Sequence, residues 1–361
     1  MLSFSYYKRN RTPGGWLVQI DGRDSRIANL MLDSGLNHIW EFWRRDPAGG
    51  LDWYKDFSGL HRHDQFTFDQ SGTEVFIARG RGLNDLLAGE PIFQDKGSAE
   101  AYKVGPAETV AKEYVDENLG ALADPTCQLA FFTVEASAGT GANWSGDRAH
   151  DQLFDVLEEL ADFAPGDFNV VDTSATTLLT VSDPPAFQFQ WRDGQWGLDR
   201  REGNTAGNAP VIFSRTRQNI SDIEYLYNRL DEINVVYATG GGAGILRVSR
   251  TRTALDAGLD ATWSAVPWGR RASIRSSNAQ GNANLDTLAD ETLYKQRIRR
   301  VFSFEALTCP SLRYGVHWGL GDLVTVEHRG VSVDQKIVGV TVGVGSDGEI
   351  TISPETEDYY V

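Results

Sequence analysis

Cysteine is almost missing from this chain: Cys127 and Cys309 are the only two, and neither has a second cysteine near it. A structural zinc site needs clustered ligands, so that class is excluded, and nothing in the spacing supports a long-range disulfide. Basic charge is also short, with 34 Lys and Arg against 50 Asp and Glu and a formal net charge of −16. Phosphate-gripping proteins gain affinity by replacing condensed counterions with their own cations. Sequence-reading nucleic-acid binding is therefore excluded in bulk, leaving room only for a local basic patch. No apolar run approaches the ~20 residues of a membrane-spanning helix. The start, Met1-Leu2-Ser3-Phe4-Ser5-Tyr6, lacks the charged opening and apolar segment of a secretory leader. The expectation is a soluble product, made in the cytoplasm, with no membrane anchor.

What is plentiful points to strands. Aromatic residues make up 11 % of the chain and glycine occurs 37 times, against 12 prolines. That is the composition of strands joined by tight turns. With 41 % hydrophobic residues there is material for more than one buried core. The length suits about two to two and a half domains.

The periodicities divide the chain in three. Residues 1–100 read mostly as strand: Trp16, Val18 and Ile20 alternate, as do Phe66 with Phe68 and Val75 with Ile77. Pro13-Gly14-Gly15, Asp21-Gly22, Pro47-Ala48-Gly49-Gly50 and Ser71-Gly72 supply turns. The aromatics of Ile39-Trp40-Glu41-Phe42-Trp43 favour another strand. A short helix is expected at Leu83 to Leu87, after a turn at Gly80-Arg81-Gly82. Residues 101–205 carry the clearest helices. One starts at Pro106, places Val110 and Tyr114 on one side and stops at Gly120. A second begins near Asp147. It buries Leu153, Val156, Leu157 and Leu160, turns Asp155, Glu158, Glu159 and Asp162 outward, and ends at Pro165-Gly166. Strands follow at Asn169 to Asp172, Leu178 to Val181 and Phe187 to Trp191, with Asp193-Gly194 as a hairpin signal between Trp191 and Trp196.

Residues 206–361 return to strand. Ile233 to Tyr237 leads into Gly240-Gly241-Gly242-Ala243-Gly244 and then Ile245 to Val248. A polar loop is expected from Ser276 to Asn284, and a helix from Leu285 to Arg297. The C-terminal stretch is the most regular. Leu323, Thr325 and Glu327 face away from Val324, Val326 and His328, and Arg329-Gly330 turns the chain into Val331 and Val333. Val338, Val340, Val342 and Val344 then share a face, and Asp347-Gly348 closes a last hairpin into Ile350 and Ile352. Such an antiparallel meander suits a compact barrel.

Motifs that carry chemistry are weak here. In His61-Arg62-His63-Asp64, two histidines two apart on a strand would point the same way and could share a metal. A hydrolase site needs further ligands, and His38, His150, His317 and His328 lie in no recognisable register, so a polar loop edge is the better assignment. Gly80-x-Gly82 lacks the third glycine and the Lys-Ser/Thr pair of a phosphate cradle, and a plain turn accounts for it. Gly240 to Gly244 leads to a strand, which fits a hinge or hairpin tip. There is no G-x-S-x-G elbow, no S-x-x-K, and no His near either cysteine. Carboxylate pairs such as Asp52 with Asp56 and Glu158 with Glu159 read as solvated surface of an acidic protein. Trp40 with Trp43, Trp191 with Trp196, and Trp263 with Trp268 could be sugar platforms, but anchors of cores or subunit interfaces are the better assignment. No catalytic, cofactor-binding or metal-ligating residue is assigned, and no cofactor is expected.

Three stretches, taken in order, resemble tail-hub and baseplate-hub proteins of siphophages. Ala78-Arg79-Gly80-Arg81-Gly82-Leu83-Asn84-Asp85-Leu86-Leu87 resembles their "GR-x-L-x-x-L-L" segment. Ala107 to Leu119, with Asp116-Glu117-Asn118, is similar to the "VDEN" helix that comes next. Asp290-Glu291-Thr292-Leu293, Tyr314-Gly315 and Gly321-Asp322-Leu323-Val324-Thr325-Val326 look like the approach to the "G-D-x-V-x-V" strand of the closing barrel. There Gly321 permits the turn, Asp322 caps it, and the alternating apolar residues close the sheet.

The resemblance implies a mainly β protein in which two tail-hub-type β-barrel domains are joined by α+β segments. The first barrel would be 1–100, completed by part of 206–250; the α+β insertion would be 101–205; the second barrel would be 206–361. It further implies a non-enzymatic virion component: a homotrimeric ring of the tail tip that connects tail tube to baseplate and encloses the DNA ejection channel. Partners would be sister copies, the distal tail protein, the tape-measure protein and tip or fibre proteins, with DNA passing through unread. On this reading no lysozyme or peptidase extension is expected after the last barrel, and any cell-wall-degrading or receptor-binding activity would sit on another chain. The rival, of a different class, is a carbohydrate-binding or carbohydrate-active module built on the Trp pairs, and a third is a metallohydrolase on His61 and His63.

Overall fold

The computed structural model describes residues 3–24, 26, 38–68, 72–92, 101–174, 185–242, 244, 247–259, 262–276, 282–307 and 309–359. In chain order the strands and helices are β1 (Ser3–Arg9), β2 (Gly15–Asp21), β3 (Ile39–Asp46), β4 (Leu51–Phe68), β5 (Glu74–Gly82), α1 (Asp85–Ala88), β6 (Ala101–Pro106), α2 (Ala107–Asn118), β7 (Phe132–Val134), β8 (Asn143–Arg148), α3 (Leu153–Phe163), β9 (Gly166–Asp172), β10 (Phe187–Asp193), β11 (Ile212–Ser214), β12 (Ile220–Asn228), β13 (Val235–Thr239), β14 (Ser249–Thr253), β15 (Ala272–Ser276), α4 (Asn282–Lys295), β16 (Arg299–Ala306), β17 (Leu323–His328), β18 (Val331–Val344) and β19 (Ile350–Asp358). The chain divides into two compact units, 1–223 with 304–356, and 224–303 with 357–361.

The first unit is built on a nine-stranded sheet in the order β11-β17-β18-β1-β2-β5-β4-β3, with β19 also paired to β18. Opposed residues of antiparallel neighbours share a face. Phe4 lies opposite both Val344 and Val18, Tyr6 opposite Val342 and Trp16, and Val18 opposite Ala78. Alternation in distant strands thus gathers one aromatic face. Tyr6 stacks on Phe57 at 5.3 Å between ring centroids, and Trp16 meets Trp40 at 4.8 Å. Each such buried side chain contributes roughly 1.5–3 kcal/mol. Where the sheet's other face leaves Leu60, the α+β layer covers it. There α2 and α3 pack Val110, Tyr114, Leu153, Leu157 and Leu160 with Phe168 and Phe189 of β9 and β10.

In the second unit β13 is central, antiparallel to β14 and parallel to β15. Val236 and Ala238 face Leu285, Ala289 and Leu293 of α4. On that side Arg250 and Arg252 of β14 reach Asp286 and Asp290 of the helix. β12 and β16 form a separate two-stranded sheet.

The mainly β expectation is met, but the barrels are not: the pairings form open paths, and among the described residues no sheet closes on itself. The C-terminal meander forms as β17, β18 and β19, and Arg329 (φ 49°) and Gly330 (φ 79°) make its first turn. Both faces of β17 are covered, since Leu323 and Val324 are each at most 1 % exposed, so the polar outward face read from the pattern is absent there. Other departures are local. Gly80 and Gly82 are in β5, not in a turn. Asn143–Arg148 is a strand paired with β6, and α3 begins only at Leu153. After Gly194 the chain does not fold back on β10; it runs to β17, where Asp199 bridges Leu323. Strands β14 and β15 carry mostly polar residues and gave no periodic signal. The strand expected at Leu178 to Val181, and most of the loop expected from Ser276 to Asn284, lie outside the described residues.

Candidate functional site

The first unit contains a cleft of about 410 Å³ lined by Lys8, Lys55, Asn84, Asp172, Trp196 and Tyr314 among others. Lys8 is the third residue of the Phe4, Tyr6, Lys8 row, so strand alternation turns a cation toward the aromatic face. Its partner Asp56, on β4, is almost fully buried and accepts from Lys8 Nζ at 2.7 Å, Tyr6 Oη at 2.5 Å and Tyr314 Oη at 3.1 Å. Arg44 of β3 stands 3.4 Å away. Burial would push the Asp56 carboxyl up, but the charge and hydrogen bond of Lys8, with Tyr6 and Arg44, outweigh it and hold the group below the usual carboxylate range. Burial would likewise lower Lys8, yet Tyr314 and Asp56 hold it above its ordinary value. Burial pushes both Tyr6 and Tyr314 up.

Across the cleft, Lys55 Nζ binds Asp172 at 2.8 Å, Ser174 Oγ at 2.7 Å and Glu41 at 3.2 Å, and Ser58 Oγ donates to Asp172. Both carboxylates at the cleft are therefore committed to cations and hydroxyls of the same unit. What this geometry does is clamp β1, β3 and β4 to the 314 turn and to the end of β9.

A second polar joint explains the Gly321-Asp322 pair. Asp322 Oδ1 accepts from the Leu198 amide at 2.7 Å and Oδ2 from the Gly319 amide at 2.9 Å, with the Arg200 guanidinium 3.3 Å away. Burial pushes the Asp322 carboxyl up. Gly321 has φ +85°, and a Cβ there would lie 2.6 Å from Trp196 Cβ, so the position requires glycine. The aspartate does cap the turn, and it also docks the 195–200 segment onto β17.

The sequence candidates are scattered. A β-bulge separates His61 from His63 in the pairing of β4 with β5, so the two do not share a face. His61 packs against Trp16 and Trp40 and bonds Asp64 at 2.5 Å, whereas His63 is exposed. Among the described residues no three His, Cys, Asp or Glu side chains are gathered as metal ligands. Cys127 and Cys309 are free thiols. Gly240 to Gly242 and Gly244 lie in the connection of the β13–β14 hairpin; Ala243 and Ile245 are outside the described residues.

The tryptophans do not form one platform. Trp40 lies on the aromatic face, Trp43 donates to Glu41, Trp191 is buried against Phe168, Trp196 lines the cleft and Trp268 is 84 % exposed. The side chain of Trp263 is outside the described residues. Asp52 is exposed while Asp56 is buried, and Glu159 pairs with Arg148 while Glu158 does not. Sequence reasoning missed Lys8 and Tyr314; the available signal was a lysine at an apolar position of a strand row.

Residues 2–356 match the family described as Siphovirus ReqiPepy6 Gp37-like protein. The chain belongs to this siphovirus tail protein family. No curated protein matches it at a significant level of sequence similarity. Its fold is similar to that of the tail protein from Neisseria meningitidis MC58, with 12 % identity, a TM-score of 0.58, and coverage of 99 % of this chain and 91 % of that one. It is also similar to the 43 kDa tail protein of prophage MuSo2 from Shewanella oneidensis, with 10 % identity, a TM-score of 0.55 and coverage of 99 % and 93 %. A chain of the Francisella PdpA-VgrG complex is similar at 8 % identity and a TM-score of 0.51, over 99 % of this chain and 48 % of that one. Among the described residues of this family member, no helix is long and apolar enough to cross a membrane.

Proposed function

We propose that the chain is the hub of the tail tip, a ring of identical copies that joins the tail tube to the baseplate around the DNA ejection channel. The family match over residues 2–356 carries this. The surface supports it: Trp268 and Ile274, 84 % and 70 % exposed, lie close together in the chain and offer an apolar contact to a neighbouring subunit. The clamp around Asp56 supports a mechanical role, since it ties chain-distant strands into one rigid body and leaves its charges engaged. Three copies form the ring, which meets the distal tail protein on the tube side and the tape-measure and tip or fibre proteins elsewhere. The acidic excess repels the DNA backbone and keeps it from sticking during ejection.

Gold-conjugated antibody against the chain tests this on intact particles. Label confined to the distal end of the tail tube is expected. Label along the tube, on the head, or none after detergent-free tip exposure overturns the assignment.

A further inference from the structure

Charge is divided unevenly between the two units. Residues 224–303 with 357–361 hold eleven Lys and Arg against ten Asp and Glu, and the first unit holds 23 against 40. The net of −16 therefore belongs to the first unit. Within the second unit, Arg250, Arg252, Arg229 and Arg297 are each matched to a carboxylate: Asp286, Asp290, Glu232 and Asp358. Arg270, Arg271 and Arg275 are not. All three are exposed along β15 and its approach, and among the described residues none has a carboxylate partner. Arg270 bonds the Tyr237 hydroxyl, which leaves its charge uncompensated. Trp268 and Ile274, 84 % and 70 % exposed, lie in the same stretch. Among the described residues β15 is an edge strand, paired only with β13; Tyr237 with Ile274 is on the sheet face opposite α4, and Arg275, aligned with Ala238, is on the other side of the same edge. An exposed Trp among unpaired Arg has the residue types of an interface centre and not of a solvated edge.

We propose that this strip is a docking surface for a second copy of the chain, seated on the acidic outer face of α3. That face presents Asp155, Glu158, Glu159 and Asp162. Glu159 is held by Arg148 and Asp162 by Arg11, whereas Asp155 and Glu158 form no ion pair among the described residues, with Arg11 and Arg9 acting on Glu158 only from a distance. Burial, then the charges of Asp162 and Asp155, push the Glu158 carboxyl up against the weaker opposing pull of Arg11 and Arg9, and an incoming guanidinium relieves that crowding. The contact joins two different faces, so it is heterologous, the kind of contact that closes into rings. It deepens the ring proposed above and rests on it.

The test is the light-scattering mass of the purified full-length chain at low and high salt. Wild type is expected at a multiple of 39.9 kDa in low salt, falling toward the monomer as salt screens the contact. Arg270→Glu with Arg271→Glu and Arg275→Glu, or Asp155→Lys with Glu158→Lys, is expected to give monomer with an unchanged melting temperature, because these side chains are exposed or half-buried at the surface. Combining both sets is expected to restore the larger mass. An oligomer that survives the arginine reversal overturns the docking surface and leaves the ring standing. A combination that stays monomeric overturns α3 as the seat. A wild-type monomer under every condition overturns the docking and the ring together. Binding of a short DNA duplex through these arginines, with no change in protein mass, assigns the strip to nucleic acid and overturns the proposal.

Discussion

Lys8 lies where strand alternation calls for an apolar side chain, and the aromatic face accepts it only because Asp56 waits there with two tyrosines and Arg44. Removing one partner of a buried pair leaves the other uncompensated, which costs about 3–5 kcal/mol. Asp56→Ala is therefore expected to lower the denaturant midpoint sharply with an unchanged slope, since the surface exposed on unfolding stays the same. Glu108 is a second buried carboxylate under heavy demand. It accepts from Lys112 Nζ at 2.6 Å and from the amides of Ala138, Gly139 and Thr140. Burial would raise it, but Lys112 and these amides hold it at about 2.

Both groups have folded values below their unfolded ones, so the unfolded chain binds more protons in acid. Their stabilisation is complete above the ordinary carboxyl range of about 4 and is lost as pH falls through the lowered values. Melting temperature is expected to fall as pH drops from about 4.5 toward 2, and Glu108→Gln is expected to flatten that fall while lowering stability at neutral pH. An unchanged pH profile in that variant would contradict it. Little of this was legible in the sequence, because the partners of Asp56 and Glu108 come from separate segments. The His61 and His63 pair failed for a related reason: strand parity assumes no inserted residue, and the bulge between them breaks it.

At the scale of elements, apolar alternation worked in several strands but passed over β1 and β16, whose buried Tyr6, Phe302 and Phe304 were not read as strand rows. It found β2, β3, β10, β17 and β18 close to their observed positions. It failed in β14 and β15, whose Ser, Arg and Thr carry no apolar period, and at the end of β5, where two glycines look like a turn although Val75 and Ile77 marked its start. Those glycines serve close approach. A Cβ on Gly80 would lie 1.9 Å from Leu60 O and 2.5 Å from Trp16 Nε1, and the same indole donates to Leu60 O. Gly80→Ala is expected to cost about 1–3 kcal/mol by overpacking, read as a lower melting temperature together with a change in Trp fluorescence. Asp322→Ala is expected to cost about 1–3 kcal/mol by leaving the Leu198 and Gly319 amides without their acceptor. Faster amide exchange at residues 196–200 than in wild type checks it, and unchanged exchange there would deny Asp322 its docking role.

At the scale of the whole molecule, the mainly β class and the tail-protein family were legible, but the topology was not. Pairing Phe4 with Val344 joins the two ends of the sequence in one sheet, and no local period announces such a partner. The same non-local pairing explains why the expected barrels are absent: a meander predicts neighbours, and closure depends on strands elsewhere in the chain. The division of charge between the units became visible only once the contacts had defined them. The most direct measurement is a cryo-electron microscopy reconstruction of the tail tip of the particle that carries this chain. Three copies in a closed ring around an open axial channel, directly below the tail tube, are expected. Single copies on the tail's outer surface, away from that axis, would contradict the hub.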